Sequence, residues 1–135
     1  MQMEKILGPI DEKGARMKNP LVLAYIGDTI YDLYFRMRAV KTTQAHVHEL
    51  NRQVSASVNA RAQSHAAGII EQMLTEQEAD IYRRGRNAKS ATSPKNMDIA
   101  DYRRATGLEA LFGYLYLTGQ YDRIDELMER IMSEQ

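Results

Sequence analysis

The fold turns on one stretch, Leu21-Val-Leu-Ala-Tyr-Ile-Gly-Asp-Thr-Ile-Tyr-Asp-Leu-Tyr-Phe35. Asn19 ahead of it is a good N-cap residue and Pro20 suits the first helical position, so a helix is predicted from about Pro20 to Val40. Leu23, Ile26, Ile30, Leu33 and Met37 recur at alternating spacings of three and four and lay one apolar stripe along it. Opposite the stripe lie Asp28 and Asp32, four residues apart and so on one face, with Ala24 a turn earlier and Gly27 adjacent. A helix this apolar is expected to be buried nearly all round, so two carboxylates and a glycine within it call for a reason.

A second stretch mirrors the first. Thr106-Gly-Leu-Glu-Ala-Leu-Phe-Gly-Tyr-Leu-Tyr-Leu117 holds one acid, Glu109, in an apolar run, with Gly113 four residues on and Gly107 nearby. A glycine inside a helix costs about 1 kcal/mol against alanine. Gly27 beside Asp28 and Gly113 beside Glu109 therefore predict two helices in close contact, with the two acids brought together. A buried pair of carboxylates repels until one takes up a proton or a cation sits between them. Oxygen-only ligands favour Mg²⁺, with Mn²⁺ as its substitute, over Zn²⁺. The alternative is that each acid simply bonds a neighbouring helix end or an arginine, and the pattern by itself leaves both open.

The rest of the chain is helical in character. Residues 1–18 form an N-terminal arm broken by Gly8-Pro9 and Gly14, ahead of a core over about 20–133. Thr42 or Thr43 is placed to cap the next helix. From Gln44 to Met73 there is no proline, and Ser55 and Ser57 are expected to divide the segment in two. Thr75-Glu-Gln-Glu78 matches a capping box. Gly85 to Asn96 reads as a polar, basic loop or helix end. Asp98 caps the following helix, Gly119 ends it, and Ile124, Leu127, Met128 and Ile131 mark a last helix over Tyr121 to Met132. No segment alternates with period two. The expectation is one all-α domain over 1–135, a helical bundle of about six or seven helices.

Composition narrows the class. The 135 residues contain no cysteine, which excludes a disulfide framework and a thiolate nucleophile or metal site. No apolar run approaches the roughly 20 residues needed to span a bilayer, and the N-terminus lacks the apolar core of a signal peptide. A cytoplasmic protein is expected. The formal net charge is zero, yet Tyr82 to Arg104 carries seven basic and two acidic residues, a local +5, while Asp122 to Gln135 carries −3. A neutral chain can thus present a basic patch.

These motifs resemble a known family. Ala24-Tyr-Ile-Gly-Asp-Thr-Ile-Tyr-Asp32 is similar to the signature helix of the ribonuclease III catalytic domain, and Leu108-Glu-Ala-Leu-Phe-Gly-Tyr-Leu-Tyr-Leu117 to its second acidic motif. Leu50-Asn-Arg-Gln-Val-Ser55 resembles the segment between them. The likeness spans about residues 20–133 in the right order. With Arg83-Arg-Gly-Arg-Asn-Ala-Lys-Ser90 and Thr92-Ser-Pro-Lys-Asn96, and a chain ending at Gln135 where a double-stranded-RNA-binding domain would follow, it resembles the short bacterial branch, Mini-ribonuclease III. The resemblance implies an endonuclease fold and an Mg²⁺-dependent homodimer that cleaves double-stranded RNA. For this branch it implies maturation of the large-subunit (23S) ribosomal RNA precursor. Full-length members carry a Glu four residues before the Asp and an Asp three before the Glu. Here those positions are Ala24 and Thr106, so Asp28 and Glu109 alone remain as catalytic and metal-binding acids. Asp32 is a candidate outer partner or a salt-bridged residue.

The remaining candidates are assigned by chemistry. Arg83, Arg84, Arg86, Asn87, Lys89 and Lys95 are the expected RNA contacts, since A-form RNA is read through phosphates and 2′-hydroxyls. His46 and His48 are two apart and point to different helix faces, so with His65 they are read as surface residues. Gly85-Arg-Asn-Ala-Lys-Ser90 lacks the second glycine of a phosphate loop and follows no strand. Surplus apolar surface on the first helix, including Tyr31, Tyr34 and Phe35, is expected to serve a two-fold dimer. The missing acids keep a second class in view, a nuclease-dead RNA-binding or ribosome-associated protein. A helical protein-interaction module is a third.

Overall fold

Two pairs of glycines set how the helices meet. In the computed structural model, which describes residues 3–89 and 98–135, six long helices follow two short ones. The short helices are α1 (Met3–Leu7) and α2 (Glu12–Arg16). The long ones are α3 (Pro20–Thr42), α4 (Val47–Val58), α5 (Ala60–Ile70), α6 (Glu76–Asn87), α7 (Ile99–Leu117) and α8 (Tyr121–Ser133), with a 3-10 turn over Glu71–Met73. The described residues contain no strand. The all-α expectation holds.

The bundle is built around α7. From Ala105 to Leu115 every residue is buried except Glu109, because α3, α5, α6 and α8 surround the helix. Against α3 the approach is backbone to backbone. A Cβ on Gly27 would lie 1.6 Å from the Glu109 carbonyl oxygen, and one on Gly113 would lie 1.8 Å from the Leu23 carbonyl oxygen. Gly27 meets Glu109 and Gly113 meets Leu23, so the helices run antiparallel there. The same device recurs against α6, where a Cβ on Gly85 would lie 2.9 Å from the Gly107 Cα and one on Gly107 would lie 2.7 Å from the Tyr82 carbonyl oxygen. Gly85 thus belongs to a buried helix contact rather than to a loop.

Local signals placed most boundaries. Asn19 Oδ1 accepts from Leu21 N at 2.8 Å, and Asp98 Oδ1 accepts from Asp101 N at 3.1 Å. Both bonds of the Thr75–Glu78 capping box form. Gly119 adopts φ 74°, and the bonds Gln120 N to Leu115 O and Gly119 N to Tyr116 O close α7 with a Schellman motif. Two expectations fail. Neither Thr42 nor Thr43 caps α4: Thr42 lies inside α3, Thr43 ends it, and His46 precedes α4 with no side-chain cap. Ser55 and Ser57 stay within α4, and the break falls at Asn59. That side chain accepts from Ala62 N and donates to the carbonyls of Ser55 and Ala56, so one residue ends α4 and starts α5.

The buried face of α3 also differs from the stripe read in the sequence. It comprises Leu23, Ala24, Gly27, Ile30, Tyr31, Phe35 and Ala39, whereas Leu33 and Met37 are 50% and 45% exposed. Tyr31 and Phe35 lie in the core with Phe112, ring centroids 5.1 and 5.4 Å from that of Tyr31. They are not available to a partner. Farther from the contact of α3 with α7, α6 is fastened to α8 by an ion pair. Arg123 donates to both Glu78 carboxylate oxygens at 2.9 and 2.8 Å and to the Met73 carbonyl at 2.7 Å. Burial raises the Glu78 carboxyl, but Arg123 and the Thr75 backbone outweigh it and hold the group below its usual range.

Candidate active site

The glycine contact between α3 and α7 carries the two acids with it. Asp28 follows Gly27, and Glu109 supplies the carbonyl that Gly27 faces. Their carboxyl groups come within hydrogen-bonding reach of each other. Asp28 opens to solvent and Glu109 is half-buried, so the pair lies at the edge of the core rather than inside it. Burial pushes the Glu109 carboxyl up, the hydrogen bond to Asp28 and its charge push it further, and Gln63 acts in the opposite sense; the result is about 9. Without a cation Glu109 keeps its proton well above the usual carboxylate range.

That arrangement fits a hard divalent ion. The donors are all oxygen, one side is open to solvent, and a positive charge would take the place of the proton on Glu109. Among the described residues no group of three or more His, Cys, Asp or Glu side chains could hold a metal, so Asp28 and Glu109 stand as a pair of carboxylates with no third such ligand beside them. The two positions where the family resemblance implies acids hold other residues. Ala24 is buried, and Thr106, also buried, donates its hydroxyl to the Tyr102 carbonyl at 3.0 Å.

The other candidates separate. Asp32 pairs with Arg36 at 2.6 Å, one turn along α3, which is the salt-bridged role. His46, His48 and His65 are exposed. Of the expected RNA contacts, Asn87 and Lys89 are exposed at and just beyond the end of α6. Arg83 pairs with Asp80 at 2.6 Å on the surface, and Arg86 sits 5.8 Å from the Tyr82 ring centroid with Nε 3.5 Å from Asn87 Oδ1. Arg84 is spent differently. It donates to the carbonyls of Arg16 and Lys18 at 2.8 and 3.1 Å and so ties α6 to the N-terminal arm. Lys95 lies outside the described residues.

One residue at the site was not foreseen. Gln63 of α5 is 3% exposed and lies beside the Glu109 carboxyl. Its signal in the sequence is an amide three and four residues ahead of Ala66 and Ala67, and so on their helix face. With the break before α5 misplaced, its face could not be assigned.

Comparison with known proteins settles the family. The model of the Ribonuclease III domain matches residues 21–120. A Mini-ribonuclease 3 from Enterococcus faecalis is 47% identical over 112 residues, 82% of this chain and 85% of that one. This chain belongs to the Mini-ribonuclease 3 group of the ribonuclease III family. A Mini-ribonuclease 3 from Thermoanaerobacter sp. is 43% identical over 120 residues, covering 89% of this chain and 84% of its own. The crystal structure of protein FN1578 from Fusobacterium nucleatum superimposes with a TM-score of 0.80 at 31% identity, covering 88% of this chain and 95% of that one. As a Mini-ribonuclease 3 family member the chain is an endoribonuclease, and among its described residues no helix is long and apolar enough to cross a membrane.

Proposed function

We propose that this endoribonuclease cleaves double-stranded RNA with Mg²⁺ as a homodimer, and that its substrate is the precursor of large-subunit (23S) ribosomal RNA. The observation that carries the chemistry is the pairing of Asp28 and Glu109 across the glycine contact, at a solvent-open edge. Asp28 and Glu109 hold the ion. When bound, it would supply positive charge at the scissile phosphate and favour attack by water. The backbone contact at Gly27 and Gly113 fixes the spacing of the two helix backbones from which the acids project. Asn87 and Lys89, with Arg83 and Arg86 behind them, face the RNA backbone. Gly85 seats this basic end of α6 at the level of α7 that carries Glu109.

An apolar groove supports the homodimer reading. Leu33, Tyr34, Met37, Tyr116, Tyr121 and Met132 line an apolar groove of about 600 Å³ between α3, α7 and α8. The strands of a duplex are related by a pseudo-two-fold axis, and a C2 dimer with the same symmetry sets one site on each strand.

The test is single-turnover cleavage of long double-stranded RNA, with and without Mg²⁺. Asp28→Asn and Glu109→Gln are each expected to lose roughly a thousandfold in rate, the equivalent of several kcal/mol of charge stabilisation. Binding to the inactive variants should weaken steeply with salt as phosphate contacts release counterions. An unchanged rate in Asp28→Asn at saturating Mg²⁺, or a flat salt profile, would overturn the corresponding part.

A further inference from the structure

Gln63 presents a buried amide whose donor is left without a well-formed hydrogen bond. The residue is 3% exposed, and its Nε2 makes no hydrogen bond of good geometry. A buried donor left unsatisfied costs about 1–3 kcal/mol. Leucine or methionine would fill the same space without that cost, since Ala66 and Ala67 on the same helix are also buried. An amide retained at such a position needs an acceptor, and the neighbouring group is the Glu109 carboxyl.

From this geometry we infer that Gln63 is a positioning residue for Glu109: its Nε2–H is the donor for the Glu109 carboxyl and fixes which oxygen that group leaves free for the divalent cation. The inference rests on the assignment of Asp28 and Glu109 as the metal pair. The Glu109 carboxyl has two oxygens: the amide is placed to hold it from the α5 side, while Asp28 lies beside it on α3. The placement of Gln63 on α5 gives Glu109 support from a third helix, besides α3 and its own.

Mn²⁺ binding, followed by electron paramagnetic resonance on the full chain without RNA, tests this alongside urea unfolding and single-turnover cleavage. The variants are Gln63→Met, Gln63→Glu and Glu109→Gln. Gln63→Met is expected to be at least as stable as the parent, yet to bind Mn²⁺ about tenfold or more weakly and to cleave correspondingly slowly at subsaturating metal. Gln63→Glu should bind more weakly still, because an acceptor then faces an acceptor. Parent-like Mn²⁺ affinity in Gln63→Met overturns the role of Gln63 and leaves the metal pair standing, provided Glu109→Gln loses the site. Loss of stability in Gln63→Met in step with affinity marks a packing residue and overturns it. Tighter binding in Gln63→Glu makes the position a metal ligand and overturns it too. A parent chain that binds no Mn²⁺ at a site sensitive to Glu109→Gln overturns the metal pair and the inference together.

Discussion

Glu109 is the residue whose chemistry the fold most distorts. Its carboxyl stands near 9 instead of 4.5, first because of burial and then because of Asp28. Between those values the unfolded chain releases the proton and the folded chain keeps it. The stabilisation is therefore complete below 4.5 and is lost as the pH rises toward 9. Metal-free protein should show urea midpoints that fall from pH 5 to pH 9. Glu109→Gln should remove that part of the slope, and saturating Mg²⁺ should flatten it in the parent, since the ion relieves the ionised pair. Midpoints that change equally in the parent and in Glu109→Gln would show that the carboxyl is not held in this way.

At the scale of elements, the spacing of the site is a property of two backbones. Gly27→Ala adds a methyl group where the Glu109 carbonyl already stands, so α3 must move away from α7. Overpacking of this kind costs about 1–3 kcal/mol or more. A displacement of about 1 Å between the acids is enough to cost on the order of a hundredfold in rate. Urea unfolding and single-turnover cleavage at saturating Mg²⁺ should show both losses in Gly27→Ala. Alanine at this position with parent-like rate and stability would contradict the close contact. The elements themselves were legible wherever their signal was local: the capping box at Thr75, the caps at Asn19 and Asp98, and the left-handed Gly119. They were misread where tertiary packing decides. A helix apolar on most sides, such as α3, does not reveal which face meets the core, so Tyr31 and Phe35 were assigned to a surface and Leu33 and Met37 to a buried stripe. Serines tolerated within α4, Ser55 exposed and Ser57 half-buried, resemble a break that Asn59 makes. The meeting of Asp28 with Glu109 was legible because each acid has a glycine near it on its own helix. Gln63 was not, since nothing in its local sequence says that its face of α5 turns toward Glu109.

For the whole molecule, the surface divides by character: the basic end of α6, the open carboxyl pair, and the apolar groove across α3, α7 and α8. If the groove joins two copies, Met37→Asp, placed at a 45% exposed position, should leave the fold intact by circular dichroism. It should also convert a dimer into a monomer in sedimentation equilibrium and turn paired cuts into single-strand nicks. A Met37→Asp protein that remains dimeric would assign the interface elsewhere.

The four glycines that let α3 and α6 lie against α7 have a consequence for heredity. Every other amino acid carries a Cβ, and at Gly27, Gly85, Gly107 and Gly113 that atom falls within 3.0 Å of a neighbouring helix. No missense change at these codons is conservative, whatever its hydropathy or size. A genetic screen scored only on RNA cleavage would rank the four beside Asp28 and Glu109, although none of them has a side chain to offer an ion or a phosphate. Intolerance to mutation in this chain would therefore mark two different necessities, the chemistry proposed for the acids and steric vacancy at the glycines, and only a measurement of folding tells them apart.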